Sequence, residues 1–398
     1  MVYWVAYILP AFGLSVLMTH VLRGPVSAVG LVDHPDFRKR HDGAIPLCGG
    51  LAVFLSFLMI NFVGGEIDWL SRNMWVGLAI ILAIGVIDDR IGLPAIIRLV
   101  AQFIVAFIIV DLGRLNGPAF LGSSISVVLS TLALPVAYVI AILFVVGLTN
   151  SLNMLDGVDG LAGGCAAVAL FWLAVLSAHF DAQVIAFHAV ILCAAVCGFL
   201  VFNIRSPWRS RASVFLGDAG STSLGVVIAA LMIALSCSQS GPPLPVLLWL
   251  VIVPVVDTLS LIVRRLKKGR SPLAADRMHL HHLLLEQTGS PMKTAGIIIA
   301  ITAICGAIGS AGAILDVPDA IMTFALFVPM ALHSSYVIWA QEAIAASTAQ
   351  PGEPIDIASG IQAAIAPLRS SAAAATGHPP WRQEAAVHEL EANGSHHA

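Results

Sequence analysis

The chain has 398 residues, 58% hydrophobic and only 11% charged, with a net charge of −3 and a mean hydropathy of +0.92. A soluble domain carries roughly 25% charged residues, so a chain this poor in charge is expected to keep most of its length in a lipid bilayer, and its near-neutral balance excludes nucleic acid as a partner. The six cysteines, Cys48, Cys165, Cys193, Cys197, Cys237 and Cys305, match no zinc or CxxC spacing and read as small buried hydrophobes.

Apolar runs close to the ~20 residues that cross a hydrocarbon core predict helices at about 3–22, 45–63, 73–87, 95–111, 126–148, 161–178, 184–202, 222–238, 244–264, 294–315 and 318–340. The expected fold class is all-α, a polytopic integral membrane protein with about eleven transmembrane helices over residues 1–340. The first run follows no basic segment and is long enough to span, so it reads as a membrane helix rather than a cleaved signal. Residues 341–398 are rich in Ala, Ser, Gly and Pro, and read as a largely disordered tail with a short surface helix around 355–368.

Polar residues concentrate between the spans. Before the second comes Arg38-Lys39-Arg40-His41-Asp42-Gly43, then Gly49-Gly50. The basic residues are flanking charge or a lip for phosphate groups, and the glycine pair permits close helix approach. The third span ends on Asp88-Asp89-Arg90, where adjacent carboxylates repel unless a cation or a proton intervenes. After the fifth, Asn150, Asn153, Asp156 and Asp159 recur every three residues, which would gather four oxygen-bearing side chains on one helical face. Such oxygens suit a hard cation like Mg²⁺. Phe215-Leu216-Gly217-Asp218 opens the eighth span, with Asp218 either an N-cap or a metal or phosphate ligand. Asp257 lies inside the ninth, as a functional acid or a buried hydrogen-bonding group. The ninth span leads through Arg264, Arg265, Lys267, Lys268 and Arg270 to Arg277, His279, His281 and His282, histidines that read as phosphate-binding or proton-handling before zinc-binding.

Charge sets the orientation. With the N-terminus periplasmic, sixteen Lys and Arg fall in loops on the cytoplasmic side, against Arg72 and Arg114 on the other. By the positive-inside rule the C-terminus is also cytoplasmic, and every polar cluster above shares that side.

In order along the chain, RKRHDGAIPLCGG, DDR, NSLNMLDGVDGLAGG, FLGDAGS and SPLAADRMHLHHLL resemble the motifs of the polyprenyl-phosphate N-acetylhexosamine-1-phosphate transferase superfamily, the glycosyltransferase 4 family, over about residues 25–290. The interrupted histidine string resembles the WecA-type group, which transfers GlcNAc-1-phosphate, rather than the peptidoglycan enzymes with three consecutive histidines. One departure is Gly92, where the family often has a third acid.

The resemblance implies a multi-pass enzyme of the bacterial inner membrane. It would transfer GlcNAc-1-phosphate from a UDP-N-acetylhexosamine to undecaprenyl phosphate, releasing UMP, as the first membrane step of O-antigen or related polymer synthesis. The cofactor implied is Mg²⁺, with Mn²⁺ as substitute. Asn153 and Asp218 would be metal ligands. Asp88 and Asp89 would bind or deprotonate the lipid phosphate, with Asp156 in support. Asp159 and Phe215 would hold the uracil end. Arg277, His279, His281 and His282 would bind diphosphate, with Asn150 and His41 also on the substrate. Another UDP-sugar (UDP-QuiNAc, UDP-FucNAc or UDP-MurNAc-pentapeptide), a cation transporter and a lipid-phosphate phosphatase stay open as alternatives, as does a homodimer.

Overall fold

The computed structural model describes residues 3–33, 43–65, 72–110, 115–206, 209–267, 269, 271 and 279–348. His41, Arg277, the basic stretch 38–40 and the tail beyond 348, with the surface helix expected there, lie outside the described residues. The chain divides into two units, Met1–Ile338 and Trp339–Ala398; of the second, only the end of the last helix is described.

The described residues are almost entirely helical. The helices are α1 (Ile8–Ala28), α2 (Gly49–Gly64), α3 (Arg72–Ile91), α4 (Ala95–Ile109), the short α5 (Gly117–Leu121) and α6 (Ser123–Leu129), α7 (Ala133–Leu155), α8 (Leu161–His179), α9 (Gln183–Asn203) and α10 (Gly217–Ser236). After them come α11 (Leu244–Leu247), α12 (Ile252–Lys267), α13 (Leu280–Thr288), α14 (Pro291–Ile314), α15 (Asp319–Ala325) and α16 (Phe327–Thr348). A two-stranded hairpin, β1 (Val32–Asp33) with β2 (Ile45–Pro46), pairs Val32 with Pro46 and Asp33 with Ile45.

Among the described residues seven helices are long and apolar enough to cross a membrane: Val5–Ala28, Ala133–Leu155, Leu161–His179, Gln183–Asn203, Gly217–Ser236, Pro291–Ile314 and Asp319–Ala343. This is a multi-pass, all-α membrane protein. The remaining expected spans coincide with the shorter apolar helices α2 and α4, with α3, whose last turn carries Asp88, Asp89 and Arg90, and with a broken helix. That broken helix corrects the continuous span expected at 244–264: the chain bends by 96° between Leu250 and Ile252. Pro254 supplies the cause. It lacks an amide hydrogen and its ring collides with the carbonyl four residues earlier, at Leu250, so the helical hydrogen bond there is lost and the chain bends.

α10 is the central helix, 89% buried over its apolar window against 17% for Val5–Ala28. Small residues let its neighbours come close. A Cβ on Gly50 of α2 would collide with Gly220, one on Gly85 of α3 with Ala219, and one on Gly225 with the Thr149 backbone of α7. Close backbone approach at small residues is how helices associate where lipid removes the hydrophobic driving force. Two hydroxyls of its first turns are satisfied by its own backbone, Ser221 donating to Gly217 at 3.1 Å and Thr222 to Asp218 at 2.6 Å.

Candidate active site at the joined ends of four helices

The ends of α2 and α10 are sewn together by backbone. The Gly49 and Gly50 amides donate to the Phe215 and Leu216 carbonyls at 3.0 and 2.9 Å, and the Phe215 amide donates to the Pro46 carbonyl at 3.0 Å. Two motifs about 165 residues apart thus form one structure, and the glycine pair permits the approach expected of it.

The first turn of α10 is where the carboxylates meet. Like any helix N-terminus it offers unbonded amides and positive potential. Asp89, on α3, answers both: its Oδ1 accepts from the Asp218 amide at 2.7 Å and its Oδ2 from the Ala219 amide at 3.1 Å. Gly217, at φ +76°, leaves the space that the Asp89 carboxylate fills. Asp89 lies just past the predicted span. Burial above all, then the Asp218 charge, push it up to about 7, against the two amides and with a smaller push from Asp88. Asp88 faces elsewhere. It is buried, accepts from the Leu93 amide at 2.6 Å, and pairs with Arg98 of α4 at 3.0 Å. The same Arg98 nitrogen lies 3.4 Å from Asp218.

α7 runs two turns past the span expected at 126–148, so Asn150 and Asn153 are helical, and Asp156 is its C-cap. Asn153 donates to Asp218 at 2.6 Å and to Ser221 at 3.0 Å. Asn150 pairs with Gln102 of α4 at 2.5 Å. Asp159 accepts from Arg205 at 2.6 Å and from the Ala212 amide at 3.1 Å. The four residues therefore do not converge on one point as the three-residue spacing led one to expect. The helix ends at Leu155, and the turn through Gly160 (φ +80°) carries Asp159 off to another partner. Asn203 fixes that turn, accepting from the Gly160 amide at 2.8 Å and donating to the Val214 carbonyl at 2.9 Å.

The histidines form a second group. His279, His281 and His282 stand together at the start of α13, with ring centroids 5.5 Å apart for the first pair and 4.2 Å for the last. His281 is 1% exposed, and burial, then His282 and His279, hold its pKa down to about 3. Its Nε2 packs on Gly157, too close for any Cβ there, and Thr258 of α12 lies 3.9 Å from the Met154 sulfur. The far end of α7 thus touches both groups. Asp257 accepts from His279 and His333, which settles it as a hydrogen-bonded buried acid.

Sequence reasoning missed Arg98, Gln102, Asn203, Arg205 and His333. The available signal was a polar residue within or at the end of an apolar run, as Gln102 in LVAQFIV and His333 in MALHSSY.

Among the described residues no three His, Cys, Asp or Glu side chains converge as a metal cage. The donor chemistry at Asp218 nonetheless fits a hard divalent cation. Asp88 and Asp218 carboxylates, the Asn153 amide and the Ser221 hydroxyl are gathered there, with the third acid, Asp89, on the neighbouring amides and Arg98 between two of the acids.

Apolar helices with carboxylates, amides and a guanidinium gathered at the ends of α3, α4, α7 and α10 define a membrane protein with an enzyme-like polar cluster. The chain belongs to glycosyl transferase family 4, whose profile matches residues 71–236. It is similar to the undecaprenyl-phosphate alpha-N-acetylglucosaminyl 1-phosphate transferase of Escherichia coli strain K12, at 32% identity over 299 residues, 73% of this chain and 79% of the relative. The protein of that name from Pasteurella multocida is 34% identical over 82% of this chain and 91% of its own, and that from Haemophilus influenzae 30% identical over 79% and 88%.

Proposed function

We propose that this chain transfers GlcNAc-1-phosphate from UDP-GlcNAc to undecaprenyl phosphate on the cytoplasmic face of the bacterial inner membrane, releasing UMP. The observation that carries this is the meeting of Asp88, Arg98, Asn153 and Asp218, all within the region matched by the family profile. The chain crosses the membrane eleven times with its N-terminus outside, and the residues beyond 340 take no part in the reaction; the sixteen-to-two distribution of loop charges supports that placement.

An oxygen of the lipid phosphate attacks the β-phosphorus of UDP-GlcNAc. The bond from that phosphorus to the α–β bridging oxygen breaks, and UMP leaves with the electron pair. A phosphate monoester has a second pKa of ~6 and is largely dianionic at neutral pH, so the protein need not supply a strong base. Its task is to position two anions against their repulsion. Asp218 and Asn153 would hold Mg²⁺, or Mn²⁺ in its place, which when bound neutralises the diphosphate and the departing UMP. Arg98 turns from the carboxylates to a phosphate group. Asp88 meets the lipid phosphate, Asp89 fixes the turn bearing Asp218, and Asp156 caps the helix bearing Asn153. Asp159, anchored by Arg205, and Phe215 flank the uracil, with Asn150 and His41 also toward the substrate. Arg277, His279 and His282 receive the diphosphate; His281, expected to join them, is buried against Gly157 and packs behind His279 and His282 instead.

Purified protein with undecaprenyl phosphate is offered UDP-GlcNAc, UDP-QuiNAc, UDP-FucNAc and UDP-MurNAc-pentapeptide, and the lipids are read by mass spectrometry. Undecaprenyl-diphospho-GlcNAc is the expected product, and a different lipid product or none overturns the assignment. Direct displacement further requires that delipidated enzyme release no UMP from labelled UDP-GlcNAc; stoichiometric release with label kept on the protein establishes a covalent route instead.

A further inference from the structure

Asp257 and its donors lie apart from the carboxylate–amide cluster, and the reaction above gives His333 no role. Asp257 sits in the second turn of α12, just past the bend, and is 3% exposed. Its Oδ2 accepts from Nδ1 of His279 at 2.9 Å. Its Oδ1 accepts from the Leu280 amide at 2.9 Å and from Nε2 of His333 at 3.2 Å. His279 is the N-cap residue of α13 and Leu280 its first residue, so two of the three bonds hold the start of the histidine motif. The third comes from α16.

The side chain of His333 is only 8% exposed, and its Nδ1 has no partner among the described residues. An imidazole inside a membrane-length helix costs free energy unless it is bonded. The bond it makes is to the carboxylate that holds His279.

A carboxylate beside an imidazole fixes the ring plane and decides which nitrogen carries the proton. Nδ1 of His279 donates to Asp257, so Nε2 is the atom left for a ligand. The ring orientation passes onward, because His279 and His281 are stacked with planes 15° apart, and Nε2 of His281 rests on Gly157 at the end of α7. With the Leu280 amide alone on Oδ1, the carboxylate would have latitude to turn about its Cβ–Cγ bond and carry the His279 ring with it. The second donor, from His333, removes that latitude.

We infer that His333 is a positioning residue for the histidine motif, acting through Asp257 to hold His279 with Nε2 toward the phosphates of the UDP-sugar. It touches no substrate. The inference rests on the transferase reading.

The test uses the full chain, with UDP-GlcNAc, undecaprenyl phosphate and Mg²⁺. Glutamine can place an N–H where Nε2 of His333 sits, whereas asparagine reaches only the Nδ1 position, and the two amides load the fold alike. His333→Gln should keep kcat/KM for UDP-GlcNAc within about twofold, and His333→Asn should lose roughly tenfold, the lower end of what such supporting contacts carry. KM for undecaprenyl phosphate should not move in either. In a His279→Gln background the difference between the two should vanish, since coupled residues are not additive. Equal activity of the two variants, or an asparagine loss that persists in full without His279, overturns the inference while the transferase reading stands. A wild-type protein that makes no lipid-linked product overturns the transferase reading and this inference with it.

Discussion

Successive residues on a helix point about 100° apart, and Asp88 and Asp89 use that angle to face different partners. Asp89 receives two amides of α10, while Asp88 faces Arg98. Asp89→Asn puts an NH₂ against one of those amides. The expected cost is about 1–2 kcal/mol, the scale of a lost cap, read as a lower thermal midpoint in detergent, with lower kcat and an unchanged KM for undecaprenyl phosphate. A raised KM at an unchanged midpoint would instead assign Asp89 to the lipid phosphate. Asp218→Asn keeps the shape and removes the charge. Transfer should fall about 100-fold or more, as for loss of a key electrostatic group, and excess EDTA should silence the wild type; activity within a few-fold of normal in EDTA would refute the Mg²⁺ assignment. The acids and asparagines of this cluster were legible in the sequence because each stands out in its own apolar surroundings. Their partners were not. Spacing along one helix tells which residues share a face, but not which residue of another helix lies opposite, so Arg98 read only as a topology charge and Asp159 did not announce Arg205.

Elements carry the site by where they stop. α7 continues to Leu155, which brings Asn153 onto Asp218, and the break before α12 follows from Pro254, a residue the apolar run concealed because proline does not lower hydropathy enough to interrupt a span. The glycine pair of α2 was readable as a close-approach device, whereas Gly225 was not, for want of any motif around it. Its importance comes from Thr149, one turn before Asn153. Gly225→Ala drives a methyl into the α7 backbone, and overpacking of that kind costs about 1–3 kcal/mol. A lower unfolding midpoint and reduced transfer are expected together. Gly147→Ala on the same α7, where a Cβ would meet nothing within 4 Å, is the control and should leave both in place. Equal behaviour of the two variants would show that the α7–α10 contact does not set the site.

At the scale of the whole molecule, composition and hydropathy sufficed for a helical membrane protein, and loop charge is the basis of the proposed orientation. Residues near 40, 90, 155, 215 and 280 should resist a membrane-impermeant thiol reagent applied from the periplasm when each is replaced by cysteine in turn. Labelling at any of the five in intact cells would refute the eleven-span arrangement. The burial of α10 also bears on how the chain is made. Its first turns, Gly-Asp-Ala-Gly-Ser-Thr-Ser, are a poor substrate for release into lipid by the translocon, since an acid and three hydroxyls must lose water. Yet α2, α3 and α7, whose backbones it meets most closely, are all synthesised earlier. When α10 leaves the ribosome its slot is already built, and it can pass sideways into protein rather than into hydrocarbon. Chain order thus lets a helix whose first turns are polar become the most buried of the membrane-length helices.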